Sequence, residues 1–471
     1  MAATPAIGTE AMDRQTGATA RLGRFAARCT EQKLSSACLD KAAACMLDAF
    51  GLGLISRDER TSLAMRQLAS RQVGGRNLAR LWGDGAWTTV SDAVEANAVA
   101  AHAHFHDDSE YSSWTHPGSL IVPVAVSLGE AEGASVAAVL RAVVSGYAAL
   151  NWLGAEEEVA RALISRGVRT SPTLGTIGAA AAAATLLGLN DRQAANAVGM
   201  ATSITGGLLE PVRTGSDEWR LQNATAARGG LRAAQLARSG IVGAATALEG
   251  PKGLLAAYAA MTEEPARWAR DPDPESIITE VVAKPFATLG DNIAAAIAAK
   301  LHFDDGIDVA RIKSVRVTLW RHYAEYPGTS HRGPFTEVAQ ALASTVFATA
   351  AMLILGELEY DVSRDRREDA TILRLAKRIT IEPDDEGGPA DSTIEIEFED
   401  GTRRVRSSRE AAATLLYHDR ATALAVLEDR TVRTGWPAGR GSGLAEAVFA
   451  QIDGESTIGI RDLLDRLFKV A

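Results

Sequence analysis

The fold is read from Gly175-Thr-Ile-Gly-Ala-Ala-Ala-Ala-Ala-Ala-Thr-Leu-Leu-Gly-Leu189. Six consecutive alanines, the strongest helix formers, predict a helix over 175–188 whose small side chains let neighbouring helices approach closely. The glycines do not make a phosphate loop, because no strand precedes them and no Gly-Lys-Ser/Thr follows. Helical spacing also predicts helices over 131–150, 156–166, 191–202, 223–239 and 252–261. Upstream, residues 17–90 read as mostly helical. Leu39, Ala42, Ala43, Met46, Phe50 and Leu52 recur every three or four residues, with Gly51 and Gly53 as stops and Gly74, Gly75, Gly83 and Gly85 as looser connections.

Composition supports close-packed helices, since alanine and glycine are plentiful and aromatics make up only 5% of the 471 residues. That length favours two or three domains. The net charge of -10 gives no basic footprint for nucleic acid. Three cysteines, Cys29, Cys38 and Cys45, form neither a disulfide framework nor a zinc spacing and suit core packing in a reducing, cytoplasmic setting. Residues 1–17 lack the apolar core of a signal peptide and read as a frayed end. No stretch of eighteen apolar residues runs without polar interruption, so no membrane span is expected.

The pattern changes at Asp271-Pro-Asp-Pro-Glu275. Beyond it, alternation predicts strands over 312–320, 378–381 and 393–398, and Asp400-Gly401 turns the last of these into 403–405. Helices over 338–355 and 369–377 lie among them. From 408 onward helical spacing returns at 414–416, 443–451 and 460–468. The expected fold class is mainly α with a smaller α+β domain. Residues 1–271 and 405–471 form the large, discontinuous helical domain, and 272–404 the small α+β lid.

Chemistry concentrates in Ala101-His-Ala-His-Phe-His-Asp-Asp-Ser-Glu-Tyr-Ser-Ser-Trp-Thr-His-Pro-Gly118, with four of the eight histidines and an adjacent aspartate pair. An apolar run, 119–128, follows as a buried helix or strand start. Polar groups pressed against an apolar element can have shifted pKa values, as acid–base work requires; the plain alternative is a solvated loop rich in histidine. On a strand His102, His104 and His106 would share a face suited to zinc or iron, whereas on a helix only His102 and His106 align. His302, His322, His331 and His418 are scattered and supply no second cluster. As a general acid or base, His116 stands first because Pro117 restricts its backbone; it could instead only cap the next helix. Arg166, Arg169, Arg213 and Arg220 are candidate grips for a carboxylate. Tyr323, closing the 312–320 strand, either reaches a cleft between the domains or packs at the strand end. No Gly-x-Ser-x-Gly, dinucleotide fingerprint or Walker loop is present.

His102-Ala-x-x-x-Asp107-Asp108 followed by His116-Pro117-Gly118, the alanine run, 221–230, Leu248-Glu-Gly-Pro-Lys-Gly253 and Lys284-Pro285-Phe286 together resemble the MmgE/PrpD family over nearly the whole chain. That family includes 2-methylcitrate dehydratase, cis-aconitate decarboxylase and iminodisuccinate epimerase. The resemblance implies a metal-free, cofactor-free homodimer that moves protons at carbons next to carboxylates. It also implies a large helical domain built from both chain ends, with an α+β lid.

The departures are as informative. The first acid of the family's His-Ala-Leu-Asp-Phe-Asp-Asp falls on Phe105, flanked by His104 and His106, and Ser109 stands where Thr is usual. The family's His-Pro-Thr becomes Ser171-Pro172-Thr173, or Arg169 without a gap. Lys-Arg-Leu-His becomes Trp219-Arg220-Leu221-Gln222, and the Cys or His positions after Lys284 read Ala287, Thr288 and Leu289. Losing a lysine and histidines weakens polycarboxylate binding, and Trp219 offers an apolar wall. The expected activity is therefore a dehydratase-type lyase acting on a small or mid-sized carboxylate or carbonyl compound, less polyanionic than methylcitrate and belonging to biosynthesis. His116 would be the acid or base, Asp107 its orienting carboxylate, Tyr323 a proton donor, and His104 and His106 replacement bases. Asp108, Ser109, Arg169, Trp219, Arg220, Gln222, Lys284 and Thr288 would hold the substrate. An epimerase, or a catalytically silent binding protein, are the alternatives.

Overall fold

A computed structural model describes residues 16–70, 78–411, 419–454 and 457–468. The helix expected from the alanine run is α8 (Thr170–Leu186), buried along nearly its whole length. Five helices surround it: α1 (Ala18–Arg28), α5 (Pro117–Glu132), α6 (Val136–Gly154), α9 (Asp191–Ile204) and α10 (Glu218–Arg238). A side chain on Gly230 of α10 would meet Thr176 O at 2.5 Å and Ala180 N at 2.7 Å, so the two backbones touch only because that position is glycine. α2 (Ser36–Ile55), α3 (Arg60–Ala69) and α4 (Val90–His102) complete this side of the bundle.

The chain's last helices, α15 (Arg420–Arg433), α16 (Arg440–Ile452) and α17 (Ile460–Phe468), return to it, as expected of a discontinuous helical domain. Arg430 of α15 donates to the Asp48 carboxylate of α2 at 2.7 Å, both side chains being buried. One helix, Val136–Gly154, is long and apolar enough by composition to cross a membrane, which the sequence reading did not anticipate. Here 83% of that window is buried inside the protein.

The smaller α+β region has a four-stranded mixed sheet: β3 (Ile312–Trp320), β4 (Ile379–Asp384), β5 (Ser392–Phe398) and β6 (Arg403–Ser407), in the order β4-β3-β5-β6. β3 runs parallel to β4 and antiparallel to β5, with Val315 opposite Ile379 and Ile396. β5 alternates buried and half-buried residues, and its apolar face packs on α11 (Ile293–Asp304). α13 (Thr345–Leu355) and α14 (Ala370–Ala376) fill the same core.

Several local expectations change. A two-stranded antiparallel ribbon, β1 (Leu78–Arg80) and β2 (Trp87–Thr89), interrupts the first helical region around the Gly83–Gly85 turn. Gly51 and Gly53 lie inside α2 rather than ending it; they admit Arg430 and the Trp82 ring, which a Cβ at Gly53 would meet at 2.6 Å. The 119–128 run is the middle of α5, which extends to Glu132. Gly133 in the left-handed region then ends it, and Ser135 caps α6, so no helix begins at 131. Residues 338–355 break at Ser344, whose extended backbone and Oγ cap α13 after α12 (Val338–Ala343). Only one wide turn, Leu255–Ala259, forms within 252–261. Gly74, Gly75, His418 and the helix expected at 414–416 lie outside the described residues.

Two apolar clusters join the sheet region to the bundle. Phe105, Leu209, Val212 and Trp219 meet Ala287, Leu289, Leu342 and Tyr360, while Tyr111 and Trp114 meet Leu319, Trp320 and Tyr323. The segment 103–116 runs along this seam.

Candidate active site

The segment after α4 is buried rather than solvated, and the reason is local. Asp108 accepts from Gly118 N and from the Tyr147 hydroxyl, each at 2.6 Å, which ties the start of α5 to α6. Glu110 accepts from Ser112 N and Ser113 N at 2.8 Å and from Asn151 at 2.9 Å. Ser109 pairs backbone to backbone with Val282. Phe105 and Trp114 adopt positive φ (57° and 51°), unusual for large side chains and costly by about 1–3 kcal/mol each. The surrounding bonds hold them there.

His116 occupies the position before the first turn of α5, yet its side chain makes no cap. Its Nδ1 lies 3.0 Å from Asp108 O and 3.4 Å from Ser109 Oγ. A carbonyl can only accept, so Nδ1 carries the hydrogen and Nε2 keeps its lone pair. Burial and the Lys284 charge hold His116 well below the usual histidine range, so the ring is neutral. Nε2 has no protein partner among the described residues.

Beside it stands a second, locked histidine. His102 Nδ1 bonds Asp107 Oδ2 at 2.8 Å, and Arg169 reaches His102 Nε2 at 2.9 Å. Because the guanidinium only donates, Nε2 is the acceptor and Nδ1–H points to Asp107. Burial and Arg169 lower His102 to about 4. Burial alone would raise Asp107, but the His102 bond and the neighbouring His116 and Lys284 outweigh it and keep the carboxylate ionised. The His102 and His116 rings are 5.3 Å apart, so Asp107 faces His116 as a nearby charge rather than a bonded partner.

His116, Ser109 and Tyr323 line one cavity of about 50 Å³ together with Glu110, Tyr111, Trp114, Thr115, Ile164, Thr170, Leu289, Gly290, Asp291 and Tyr326. Its walls come from both regions of the molecule. Burial raises Tyr323 well above the usual phenol value, so it stands as a hydrogen donor. Burial likewise lifts the Asp291 carboxyl to about 7. Asp291 and Tyr326 escaped the sequence reading, with no motif around them, and Tyr111 and Trp114, although inside the 101–118 stretch, were not singled out there. The largest cavity, about 1060 Å³, lies elsewhere, beside Glu249 and Lys252, and no histidine lines it.

Other expected residues are placed differently. His104 stacks on Tyr360 (4.0 Å between ring centres), and His106 Nε2 donates to Lys284 O at 2.9 Å, so neither ring lines the cavity as a replacement base. The three alternating imidazoles thus diverge, and no group of three or more His, Cys, Asp or Glu among the described residues is arranged to hold a metal. Trp219 is buried edge-on against His102 and Phe105 and forms no wall of the His116 cavity. Arg220 donates to Ala103 O and Asp217, Gln222 to Leu208 O, and both point elsewhere. Arg169 is committed to His102, Trp219 O and Gln222. Lys284 donates to the carbonyls of Phe105 (2.8 Å) and Thr288 (3.3 Å), and the Thr288 hydroxyl to Leu342 O. These groups frame the site from behind; the helical or irregular backbone around them, not the strand geometry, decides which way each side chain faces.

Comparison with known proteins follows the same division. The MmgE/PrpD N-terminal domain matches residues 20–266 and the MmgE/PrpD C-terminal domain matches residues 292–418. Lys284, Thr288 and Asp291 lie in the joint between the two. Among curated relatives, an 81-residue stretch is 46% identical to a cis-aconitate decarboxylase-like protein oryM of Aspergillus oryzae, covering 17% of each chain.

Proposed function

The chain belongs to the MmgE/PrpD family, which includes dehydratases and decarboxylases, and from that premise we propose a dehydratase-type lyase whose base is His116. The carrying observation is one imidazole whose Nδ1–H is fixed on Asp108 O and whose residue lines the same cavity as Tyr323. A neutral histidine needs no prior proton loss to act as base at neutral pH.

In this reading Nε2 takes a proton from the carbon next to a carboxylate or carbonyl. The C–H pair becomes the new C=C bond, and the β C–O bond breaks toward the lid, where the Tyr323 hydroxyl hydrogen-bonds the departing oxygen. The departing oxygen takes the Tyr323 proton and leaves as water, and the imidazolium passes its proton through the cavity to the Tyr323 oxygen, which restores both groups. Asp107, held ionised by His102, stabilises the charge that His116 gains. A cavity of about 50 Å³ is below the roughly 300 Å³ of a small-molecule site, so the two walls part to admit substrate.

Substituting His116 with Ala is expected to abolish deuterium uptake from D2O into β-hydroxy mono-, di- and tricarboxylates, 2-methylcitrate included, with an unchanged circular-dichroism spectrum. Full exchange in that variant overturns the assignment. Exchange without loss of water would mark an epimerase, and binding without exchange a silent binding protein.

The same reading takes the active form to be a homodimer. Leu221 and Leu236 of α10 are exposed, as are Ile204, Leu208, Ile241 and Val242 nearby in sequence, and burying such side chains against a second copy is what this reading expects.

A further inference from the structure

Among the described residues, no lysine or arginine lines the His116 cavity. The cations nearest to it are already committed, Lys284 to two carbonyls and Arg169 to His102, Trp219 O and Gln222. What the cavity does present is two carboxyls: Glu110, already held by Ser112 N, Ser113 N and Asn151, and Asp291, only 9% exposed and with no side-chain ion pair. Around it stand four aromatic rings: Tyr111 and Trp114 on the bundle side, Tyr323 and Tyr326 on the sheet side. Trp114 and Tyr323 rings lie 6.3 Å apart across the seam, and Tyr111 and Tyr323 rings 6.5 Å. The buried Trp114 Nε1 has no hydrogen-bond partner, so a donor at this wall awaits an acceptor.

Resting on the lyase reading above, we propose that this site takes a substrate with a single carboxylate and an alkyl or aryl body, and that Asp291 is the residue that turns a second carboxylate away. The rings give apolar area to the body, and the Asp291 carboxyl opposes any further anion, Glu110 being already held by Ser112 N, Ser113 N and Asn151. Two like charges about 6 Å apart at an effective dielectric of about 20 change affinity roughly a hundredfold.

The groups facing Asp291 are His116, neutral; Tyr111, Tyr323 and Tyr326, all phenols held protonated by burial; and Lys284, brought by burial to about 8. Asp291 itself gains charge near pH 7. Discrimination against a second carboxylate therefore grows from pH 6 to pH 7.5. Lys284 begins to lose charge in the same direction, and the Asp291→Asn variant separates the two.

Calorimetric titration of the full chain with hexanoate and adipate, which differ by one carboxylate at equal length, tests the proposal. Hexanoate is expected to bind at least tenfold more tightly than adipate at pH 7.5, with a smaller ratio at pH 6. Asp291→Asn should bring the ratio close to one. Butyrate, hexanoate and octanoate should rise about fourfold in affinity per methylene, a dependence that Trp114→Ala flattens. Equal or tighter adipate binding in the wild-type protein, no binding of any monocarboxylate, or an unchanged ratio in Asp291→Asn overturns it. Should that variant fail to fold, Asp291→Ser, which also removes the carboxyl, takes its place. Selective hexanoate binding without deuterium exchange on any probe keeps the selection and removes the lyase reading; exchange without selection does the reverse.

Discussion

At the residue scale the site rests on two neighbouring histidines held in different states by what their Nδ1 and Nε2 touch. His102 is closed on both nitrogens, by Asp107 and Arg169, whereas His116 is closed on one. His106 belongs to the same buried group, lowered by burial to about 3. A histidine with a lower pKa folded than unfolded leaves the unfolded chain holding more protons below about 6.5, so stability falls with pH through that window. Asp108 and Asp291, raised to about 7, work in the opposite sense. His106→Gln keeps a donor for Lys284 O but removes the titration. Its melting temperature should fall less than that of the wild type between pH 6.5 and 4, by the equivalent of on the order of 3 kcal/mol. An identical acid limb in both proteins would show that His106 is not held neutral in the folded state.

At the scale of elements, the bundle depends on how closely α8 and α10 approach. Gly230→Ala would drive a methyl into Thr176 O and Ala180 N, backbone atoms that cannot turn aside. A loss of about 2–3 kcal/mol in urea unfolding is expected. One residue earlier, at Gly229, a Cβ meets only the Thr176 methyl at 3.3 Å and the Ile204 side chain at 3.5 Å. Gly229→Ala should therefore be neutral or stabilise α10 by a few tenths of a kcal/mol to about 1 kcal/mol. Equal losses at both positions would mean that the close contact at Gly230 is not what sets the tolerance. The break at Ser344 shows the same competition in the lid: a hydroxyl that caps Phe347 N and donates to His331 O outweighs one more turn of continuous helix.

At the scale of the whole molecule, the chain ends and the middle are joined through few polar contacts. The buried Arg430–Asp48 pair is the anchor between the returning tail and α2. Removing the cation takes a charged hydrogen bond from a buried carboxylate, so Arg430→Ala should cost on the order of 1.5–3 kcal/mol, measured by chemical denaturation. Arg430→Met, which restores the bulk but not the charge, should recover little of it. Arg80, wedged between Glu130 and Asp465, ties α17 to α5 in the same manner. The seam beside His116, by contrast, is mostly aromatic and aliphatic.

The order of helices, the strands at 312–320 and 393–398, the hairpin at Asp400-Gly401 and the return of the tail were legible in the sequence, because periodicity and turn chemistry are local properties. His116 and Tyr323 were legible too, one from its Pro117-Gly118 context and the other from its place at a strand end. Side-chain direction was not. Whether His104 or His106 reached the cavity depended on an irregular buried segment with two left-handed residues, which no period describes, and whether Trp219 or Arg220 did depended on how α10 packs. Asp291, Tyr323 and Tyr326, more than about 150 residues from His116 in sequence, became one wall only when the lid folded against the bundle. The sequence by itself determined which elements form and which family they build. The tertiary structure alone decided which charges are spent on carbonyls, which nitrogen stays open and which carboxyl faces it, since burial and partner geometry exist only once the chain has closed on itself.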